Sequence, residues 1–272
     1  MLDSIKHTYE TQYKKLLLIP ILLVVLAFVQ IGMQTATTGD FVNKGITLKG
    51  GSTISFPTST NTIDSLQSSL SAQFPQADIT VRSISSAGRI TGIAIDSDAQ
   101  ETTEINVLLA AVARQTGLSQ DTLSVEVVGS SLGDSFFTQT ITALLVAFLL
   151  MGIVVFLYFR TVVPSLTVIA SAFSDIVVTL AIFNLTGMKL SSAGIAAFLM
   201  IIGYSVDTDI LLNTRLVKRK DGTPPERVYN AMRTGLTMTV TTLIAILVSI
   251  IFVQSEIVKQ IMIILFIGLL VD

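Results

Sequence analysis

The sequence predicts a polytopic α-helical membrane protein of six spans, with an α+β domain inserted outside the membrane. Three observations lead to this class. Of the 272 residues, 51% are hydrophobic and only 13% are charged, with a mean hydropathy of +0.73, whereas soluble domains carry about 25% charged residues. The apolar residues gather into long runs, each near the roughly 20 residues that a helix needs to cross a bilayer. Residues 34–138 contain no such run.

The apolar runs predict the order of the spans. They cover residues 16–33, 139–159, 162–185, 190–213, 235–254 and 256–272. Residues 1–15 are then an N-terminal segment, residues 34–138 the inserted domain, and residues 139–272 a five-helix bundle that contains a loop at 214–234. The sixth run is short, so we expect a truncated span there.

Basic residues predict the orientation, because short cytoplasmic loops carry most of the Lys and Arg of a membrane protein. The short loops on one side carry only Lys189 and Lys259. The other side carries Lys6, Lys14, Lys15, Arg160, Arg215, Lys218, Arg219, Lys220, Arg227 and Arg233. We therefore expect a multi-pass protein of the cytoplasmic membrane with a cytoplasmic N-terminus, an extracytoplasmic domain at 34–138 and a cytoplasmic loop at 214–234.

The first apolar run allows an alternative interpretation as a cleavable signal peptide, because two lysines precede it. The run at 16–33 is longer than the roughly 7–15 residues of a signal-peptide core. The charge pattern of the later loops also requires an odd number of membrane crossings before the inserted domain. The sequence therefore favours a retained membrane anchor.

The inserted domain shows alternating apolar periods of two and of about four residues, which predict strands and helices respectively. The predicted order is strand, helix, strand, strand, helix, strand, at residues 45–56, 62–74, 79–83, 90–95, 103–115 and 123–128. This order is that of a ferredoxin-like split βαβ unit. Because no catalytic set of residues stands out in it, we expect a binding or mechanical module.

Composition excludes several classes of function. The chain has no cysteine and a single histidine, His7, so disulfides, thiolate metal sites and multi-histidine metal sites are excluded. No Gly-rich phosphate loop occurs, and a net charge of −2 gives no basic excess for nucleic acid. We expect no metal, no cofactor, no nucleic-acid partner and no enzymatic activity.

Three acidic residues lie within predicted spans and are the candidate proton relay: Asp175, Asp207 and Asp209. A carboxylate at membrane depth costs about 2.5–3.5 kcal/mol on insertion scales, so it persists where it faces protein or water and indicates function. The alternative is a purely structural role, in which a neutral carboxyl group only hydrogen-bonds a neighbour.

Helical geometry predicts the directions of these carboxylates. Asp175 shares a face with Ser171 and Thr179, because residues four apart lie one above the other. Asp207 and Asp209 are separated by about 200° around a helix, so they cannot face one site. We expect Asp207 to face the bundle interior, and Asp209 to lie near the cytoplasmic interface, against Arg215 or a neighbouring subunit.

Hydroxyl side chains form a predicted polar lining around the acidic residues. In the fifth span the favoured interpretation is helix–helix contact, since Ser and Thr are common at membrane helix interfaces. The lining comprises Ser171, Thr179, Thr208, Thr237 and Thr241.

Several motifs together resemble the SecD/SecF family of protein-export membrane proteins, which belongs to the RND superfamily, and within it the archaeal type of the SecF branch. The fourth span carries Gly203, Tyr204 and Ser205 followed by Val-Asp-Thr-Asp, and Gly50 and Gly51 resemble the Gly-Gly motif that opens the family's extracytoplasmic domain. The start of the fifth span, Arg-Thr at 233–234, is also similar to the start of the family's fifth span. The resemblance covers nearly the whole chain.

The chain departs from the bacterial pattern at two positions. The aspartate of bacterial SecF falls on Thr208, while Asp207 matches the motif of the sister subunit SecD. Ser174 stands where the family often has histidine. The resemblance also implies that Arg233 is a possible charge partner of the acidic residues.

The resemblance implies a function and a set of partners. A SecF-like subunit pairs with SecD, associates with the SecYEG channel in the lipid membrane, and uses the proton motive force to assist a translocating polypeptide. Two alternatives remain open. One is a half-transporter that exports small lipophilic molecules. We expect no apolar cleft in the domain, and the lack of such a cleft would argue against this alternative. The other is a scaffold whose aspartates affect stability alone.

Overall fold

The computed structural model describes residues 15–58, 63–86, 89–218 and 222–272. Nearly all of the predicted N-terminal segment lies outside these ranges, as do Arg219 and Lys220 of the predicted cytoplasmic loop. Helices and strands are numbered in chain order. They are α1 (Leu18–Thr38), α2 (Ile46–Lys49), β1 (Gly51–Pro57), α3 (Ile63–Gln73), β2 (Thr80–Ser86), β3 (Arg89–Ser97), α4 (Thr102–Thr116), β4 (Ser124–Val128), α5 (Ser130–Phe159), α6 (Val162–Leu185), α7 (Ser192–Val217), α8 (Pro224–Phe252) and α9 (Glu256–Val271).

Five helices of the described chain are long and apolar enough to cross a membrane: α1, α5, α6, α7 and α8. Helix α9 has 16 residues, so at 1.5 Å per residue it spans about 24 Å. The outward faces of these helices are strongly apolar. Leu149 and Leu157 of α5, for example, are each more than 60% exposed, as expected of side chains that contact lipid.

Helices α6, α7 and α9 form the centre of the bundle. Their mutual core contains Phe183, Ile195, Ile201 and Ile264, each at most 1% exposed. Helix α1 packs on α6 through Ala27, which forms a buried cluster with two valines and an alanine of α6. The centre of the bundle is therefore where a polar side chain is removed from lipid.

The inserted domain is a four-stranded sheet covered on one face by α3 and α4. The strand order is β2-β3-β1-β4, and every neighbouring pair is antiparallel. Ile54, Ile93 and Ile95 of the central strands pack against Leu70 and Val112 of the helices, and all five are fully buried. Alternate residues of the strands supply this core, because successive strand side chains point to opposite faces.

The predicted strand at 45–56 is wrong in its first half. Residues Ile46–Lys49 form the single helical turn α2, and the strand begins at Gly51. The amide of Gly50 donates to the carbonyl of Ile46 at 2.9 Å, which closes the turn. Gly50 then takes a φ of +87° that redirects the chain into β1. The apolar residues Ile46 and Leu48 are buried on a turn and not on a strand.

Several helices extend beyond their predicted bounds. Helix α1 continues to Thr38 and α5 begins at Ser130, so each of these helices includes polar residues beyond its apolar run. The predicted loop at 214–234 is mostly helical, since α7 continues to Val217 and α8 begins at Pro224. The start of α8 is fixed by a capping box in which Thr223 and Glu226 each bond the other's backbone. Hydropathy locates the apolar centre of a helix better than its ends.

Candidate functional site: carboxyl groups inside the helix bundle

A buried hydrogen bond joins α6 to α7 at the middle of the bundle. The Ser205 hydroxyl donates to Oδ2 of Asp175 at 2.6 Å. Asp175 is 5% exposed and Ser205 is 1% exposed. Ser205 belongs to the Gly-Tyr-Ser motif, so the structure brings that motif and the carboxylate of the preceding span into one contact.

Asp209 also faces the centre of the bundle. It is close enough to Asp175 for their charges to interact, and Ser171 lies within hydrogen-bonding reach of its carboxylate. Its Oδ2 atom is buried without a hydrogen-bond partner among the described residues, as is the hydroxyl of Thr179 one turn beyond Asp175. Two of the polar residues predicted along α6, Ser171 and Thr179, therefore lie beside the acidic pair.

A third carboxyl group that the sequence analysis did not place in the site lies beside the first two. The Asp272 side chain, which follows α9, lies near Ser205 and Thr208, and its charge interacts with those of Asp175 and Asp209. The signal was present in the sequence, because Asp272 directly follows an apolar run.

The two acidic residues of α7 have the reverse of their expected directions. Asp207 is exposed on the outer surface of the chain, on the same face as Gly203 and Tyr204. The inward face carries Ser205 and Asp209 instead. The direction of a helix face follows from which of its residues pack against neighbours, and here Val206 and Ile202 pack toward α5 and α6.

The predicted charge partners do not contact the carboxyl groups. Arg215 donates to the backbone carbonyl of Asn230 at 2.9 Å, and Arg233 is exposed. Thr237 and Thr241 are exposed and bond carbonyls of their own helix, Arg233 and Thr237 respectively. Thr208 bonds the carbonyl of Tyr204 and packs near Gly235 of α8. Of the predicted lining, the structure thus brings Ser171, Thr179 and Thr208 to the site.

The Gly-Gly motif lies where the domain joins the bundle. A Cβ atom on Gly50 would lie 2.6 Å from the Cα of Ser130, the first residue of α5. Gly51 has a φ of +148° and lies against the carbonyl of Ser97. The motif therefore permits close approach of α2, β3 and the start of α5, and it has no contact with the carboxyl groups.

An ion-pair network fixes the domain on the bundle. Asp78, just before β2, pairs with Lys49 of α2 at 2.6 Å and with Lys189 of the α6–α7 loop. Burial alone would raise the pKa of Asp78, but hydrogen bonds from Lys189 and Lys49 outweigh it and hold the pKa below its ordinary value. Ser83 of β2 also contacts the carbonyl of Gln254, in the α8–α9 loop, at 3.4 Å.

The fold and this site together define a class: a multi-pass membrane protein that holds several carboxyl groups inside an apolar helix bundle and bears an α+β domain at one end of it. The family described as "Protein export membrane protein SecD/SecF, C-terminal" matches residues 108–272. The chain belongs to the SecD/SecF family of protein-export membrane proteins.

Relatives named "Protein-export membrane protein SecF" match over most of their length. The chain is 37% identical to that of Pyrococcus furiosus, over 99% of this chain and 89% of the relative. It is 36% identical to that of Methanocaldococcus jannaschii, over 96% and 90%. It is 39% identical to that of Thermococcus gammatolerans, over 85% and 74%.

A solved structure shares the fold. The crystal structure of SecDF, described as a translocon-associated membrane protein, from Thermus thermophilus matches 95% of this chain with a TM-score of 0.67 at 19% identity. The match covers 35% of the SecDF chain, so this chain spans about a third of that protein's length.

Proposed function

We propose that this chain works as a SecF-type subunit that, together with SecD, uses the proton motive force to assist polypeptide translocation across the cytoplasmic membrane. The observation that carries the proposal is the buried contact between Asp175 and Ser205 at the centre of the bundle. A carboxyl group at this depth is costly and is retained mostly for function. Membership of the export family directs that function toward protein export.

Proton coupling follows from the chemistry of the site. A carboxyl group can take up a proton from one side and release it to the other only if it is shielded from lipid and reachable by water or protein donors. Moving one elementary charge through a potential of 100 mV is worth about 2.3 kcal/mol. Proton movement through a few carboxyl groups can therefore drive repeated small conformational steps. Such a mechanism requires no nucleotide site in this chain.

The outer face of α7 supports SecD as the partner. Asp207 and Tyr204 are exposed on a helix that is long and apolar enough to cross a membrane. A carboxylate on the outside of a membrane helix is stable only against protein or water. We assign this face to the heterodimer contact, with SecYEG and the translocating polypeptide as further partners in the lipid membrane and no enzymatic activity.

The finer architecture is part of the proposal. The strand order β2-β3-β1-β4 within a βαββαβ chain supports a ferredoxin-like domain, and α9 supports a sixth span. The distribution of basic residues supports an extracytoplasmic domain and a cytoplasmic α7–α8 loop. A protease added outside intact cells should then reach the domain and leave that loop uncut.

The experiment is an Asp175→Asn substitution in the complex isolated from native membranes and reconstituted into vesicles. We expect the stimulation of polypeptide export by an imposed proton gradient to fall at least tenfold, because amide nitrogen and oxygen cannot exchange a carboxyl proton. Asp134→Asn, on an exposed part of α5, is the matched control. Full stimulation in the Asp175 variant would reject the proposal, as would a loss that reflects only poor expression or partner binding.

One observation favours the alternative of a half-transporter for small lipophilic molecules. The expectation of no apolar cleft in the domain is wrong, because a groove of about 620 Å³ lies between α4 and the loop that follows α3, with Phe74, Val107 and Leu108 in its lining. Purification of the native complex separates the two functions. Co-purification of SecD and SecY supports export, and a drug-efflux assembly supports the alternative.

A further inference from the structure

The inserted domain carries an open groove, of about 620 Å³, that has no part in the carboxyl site. It is lined from residues 73–79, 97–99 and 103–108, which are the end of α3 with its following loop, the end of β3 and the first turns of α4. We call it the α4 groove. The loop after α3 also carries Asp78, whose ion pairs with Lys49 and Lys189 hold the domain on the bundle. The α4 groove is therefore close to the end of the bundle that bears the domain.

The floor of the α4 groove is apolar and continuous with the core of the domain. Ile79 and Leu108 are buried members of that core, and Phe74 packs against it from the end of α3. Val107 also lines the groove, yet its side chain is 58% exposed. An apolar side chain this exposed, beside core residues in a concave surface, is available to pack against an apolar group of a ligand.

Hydrogen bonds of the loop fix the shape of the groove. The amide of Asp78 donates to Oδ1 of Asp98 at 2.9 Å, which ties the loop to the end of β3. The amide of Ala77 donates to the carbonyl of Phe74, and the amide of Ile79 to the carbonyl of Ala77, both at 3.1 Å. A groove that is already ordered loses little conformational entropy when a ligand binds.

The polar side chains of the α4 groove are acidic or uncharged. Asp98 and Glu104 are in its lining, and its described lining residues include no lysine or arginine. Gln73, Gln76 and Thr103 also line it, and their side chains have no hydrogen-bond partner among the described residues. Amide and hydroxyl groups can bond the backbone of a peptide, and acidic groups attract its basic side chains.

These properties favour a polypeptide over the other ligands that an apolar groove near a membrane can hold. Asp98 and Glu104 repel an anionic lipid headgroup. A small neutral lipophilic molecule uses the apolar floor and gains nothing from the acidic groups. Glu104 and Val107 are three apart on α4, so they lie on the same face of the helix. An extended peptide can therefore place an apolar side chain against Val107 and a basic one beside Glu104.

We propose that the α4 groove binds an extended segment of the translocating polypeptide in which an apolar residue adjoins a lysine or arginine. This inference rests on the proposed export function and gives it a polypeptide-binding site. Val107 contacts the apolar side chain of the segment, and Glu104 pairs with the basic one. Binding in the groove involves no proton transfer, so it is measurable without a proton gradient.

The first test is cross-linking in the native complex during export of a polypeptide that carries one cysteine. This chain contains no cysteine, so Val107→Cys gives it a single thiol. We expect this variant to form a disulfide with the polypeptide in about fivefold higher yield than Val127→Cys, because disulfides require close approach of the two residues. Val127 of β4 is 50% exposed and lies outside the groove, which makes it the matched control.

The second test is the binding of a fluorescent peptide, with leucines flanked by lysines, to the isolated complex without a gradient. We expect Val107→Ser to weaken binding about fivefold, since an apolar contact is lost. Glu104→Gln should weaken it about threefold at low salt and not at high salt, because salt screens exposed charges. The effect should vanish when glutamines replace the lysines of the peptide. Glu126→Gln, on the exposed surface of β4, is the control for charge.

Equal cross-linking yields at the two positions, or wild-type peptide affinity in both Val107→Ser and Glu104→Gln, would overturn the inference. A cross-link from Val107→Cys to SecD in place of the polypeptide would do the same, as would displacement of the peptide by a neutral lipophilic dye that binds independently of Glu104. A complex that binds the peptide in the groove but whose export ignores the gradient would instead reject the proposed function and leave this inference standing.

Discussion

At the scale of single residues, the site depends on few atoms. One buried hydroxyl, that of Ser205, donates to the carboxyl group of Asp175 on the neighbouring helix. Asp209 adds a carboxylate with a buried, unpartnered oxygen among the described residues. Each group is polar in an apolar bundle, so each has a cost that packing elsewhere must offset. Such unpaired groups are expected at functional sites and are rare elsewhere.

The Gly-Gly motif gives a prediction at the same scale. Gly50→Ala should destabilise the protein by about 2 kcal/mol or more, because a left-handed φ of +87° strains an L-residue and the added Cβ would meet the backbone of Ser130. The midpoint of thermal unfolding in detergent measures this. Gly129→Ala is the control, since a Cβ there meets nothing within 4 Å. Equal midpoints for the two variants would contradict the account.

At the scale of helices and strands, the contact of α7 with α9 sets the site. Gly268→Ala should lower the free energy of unfolding by about 1–3 kcal/mol, because the added Cβ forces the fully buried Ile201 to move. The same shift should disturb the buried contact of Ser205 with Asp175 and reduce gradient-driven export. Thermal unfolding and export are measured on the same preparation.

The control for this helix contact is Gly32→Ala on α1, where a Cβ meets nothing within 4 Å. We expect it to be neutral or slightly stabilising, since alanine favours helix over glycine by about 1 kcal/mol. If Gly268→Ala matched Gly32→Ala in stability and in export, close helix packing would not be the cause of the carboxyl contact.

At the scale of the whole molecule, the domain is held on the bundle by ion pairs of Asp78 with Lys49 and Lys189. Asp78→Asn should loosen this junction by up to about 1 kcal/mol, since a partly exposed ion pair is screened by solvent. Hydrogen exchange of the β2 amides should accelerate, while that of β4 stays as before. Asp134→Asn serves again as the exposed control.

The same junction predicts a pH dependence. The folded pKa of Asp78 lies below the ordinary value of 3.8, so its ion pairs stabilise the docked domain fully above that pH. The contribution is lost as the pH falls from about 4 through the lower folded pKa. Exchange at β2 should therefore accelerate on acidification in the wild type and not in Asp78→Asn. Parallel acceleration in both would assign the effect to other groups.

The sequence predicts some parts of this architecture well and others poorly, for different physical reasons. Long apolar runs locate the membrane helices, because hydropathy acts residue by residue. The pattern at Ile46–Lys49 predicts a strand where the structure has a helical turn, because a short apolar run is compatible with either structure. The end of α7 at Val217 and the start of α8 at Pro224 depend on capping contacts, which hydropathy does not report.

The candidate site, too, can be predicted from the sequence only in part. The sequence by itself determined that carboxyl groups lie inside the membrane, since Asp175 and Asp209 interrupt apolar runs. The tertiary structure was needed to show that Asp209 and not Asp207 faces inward, and that Ser205 of α7 donates to Asp175 of α6. Helical periodicity fixes which residues share a face. Which face points inward is set by how neighbouring helices pack, here by the contact of Gly268 with Ile201.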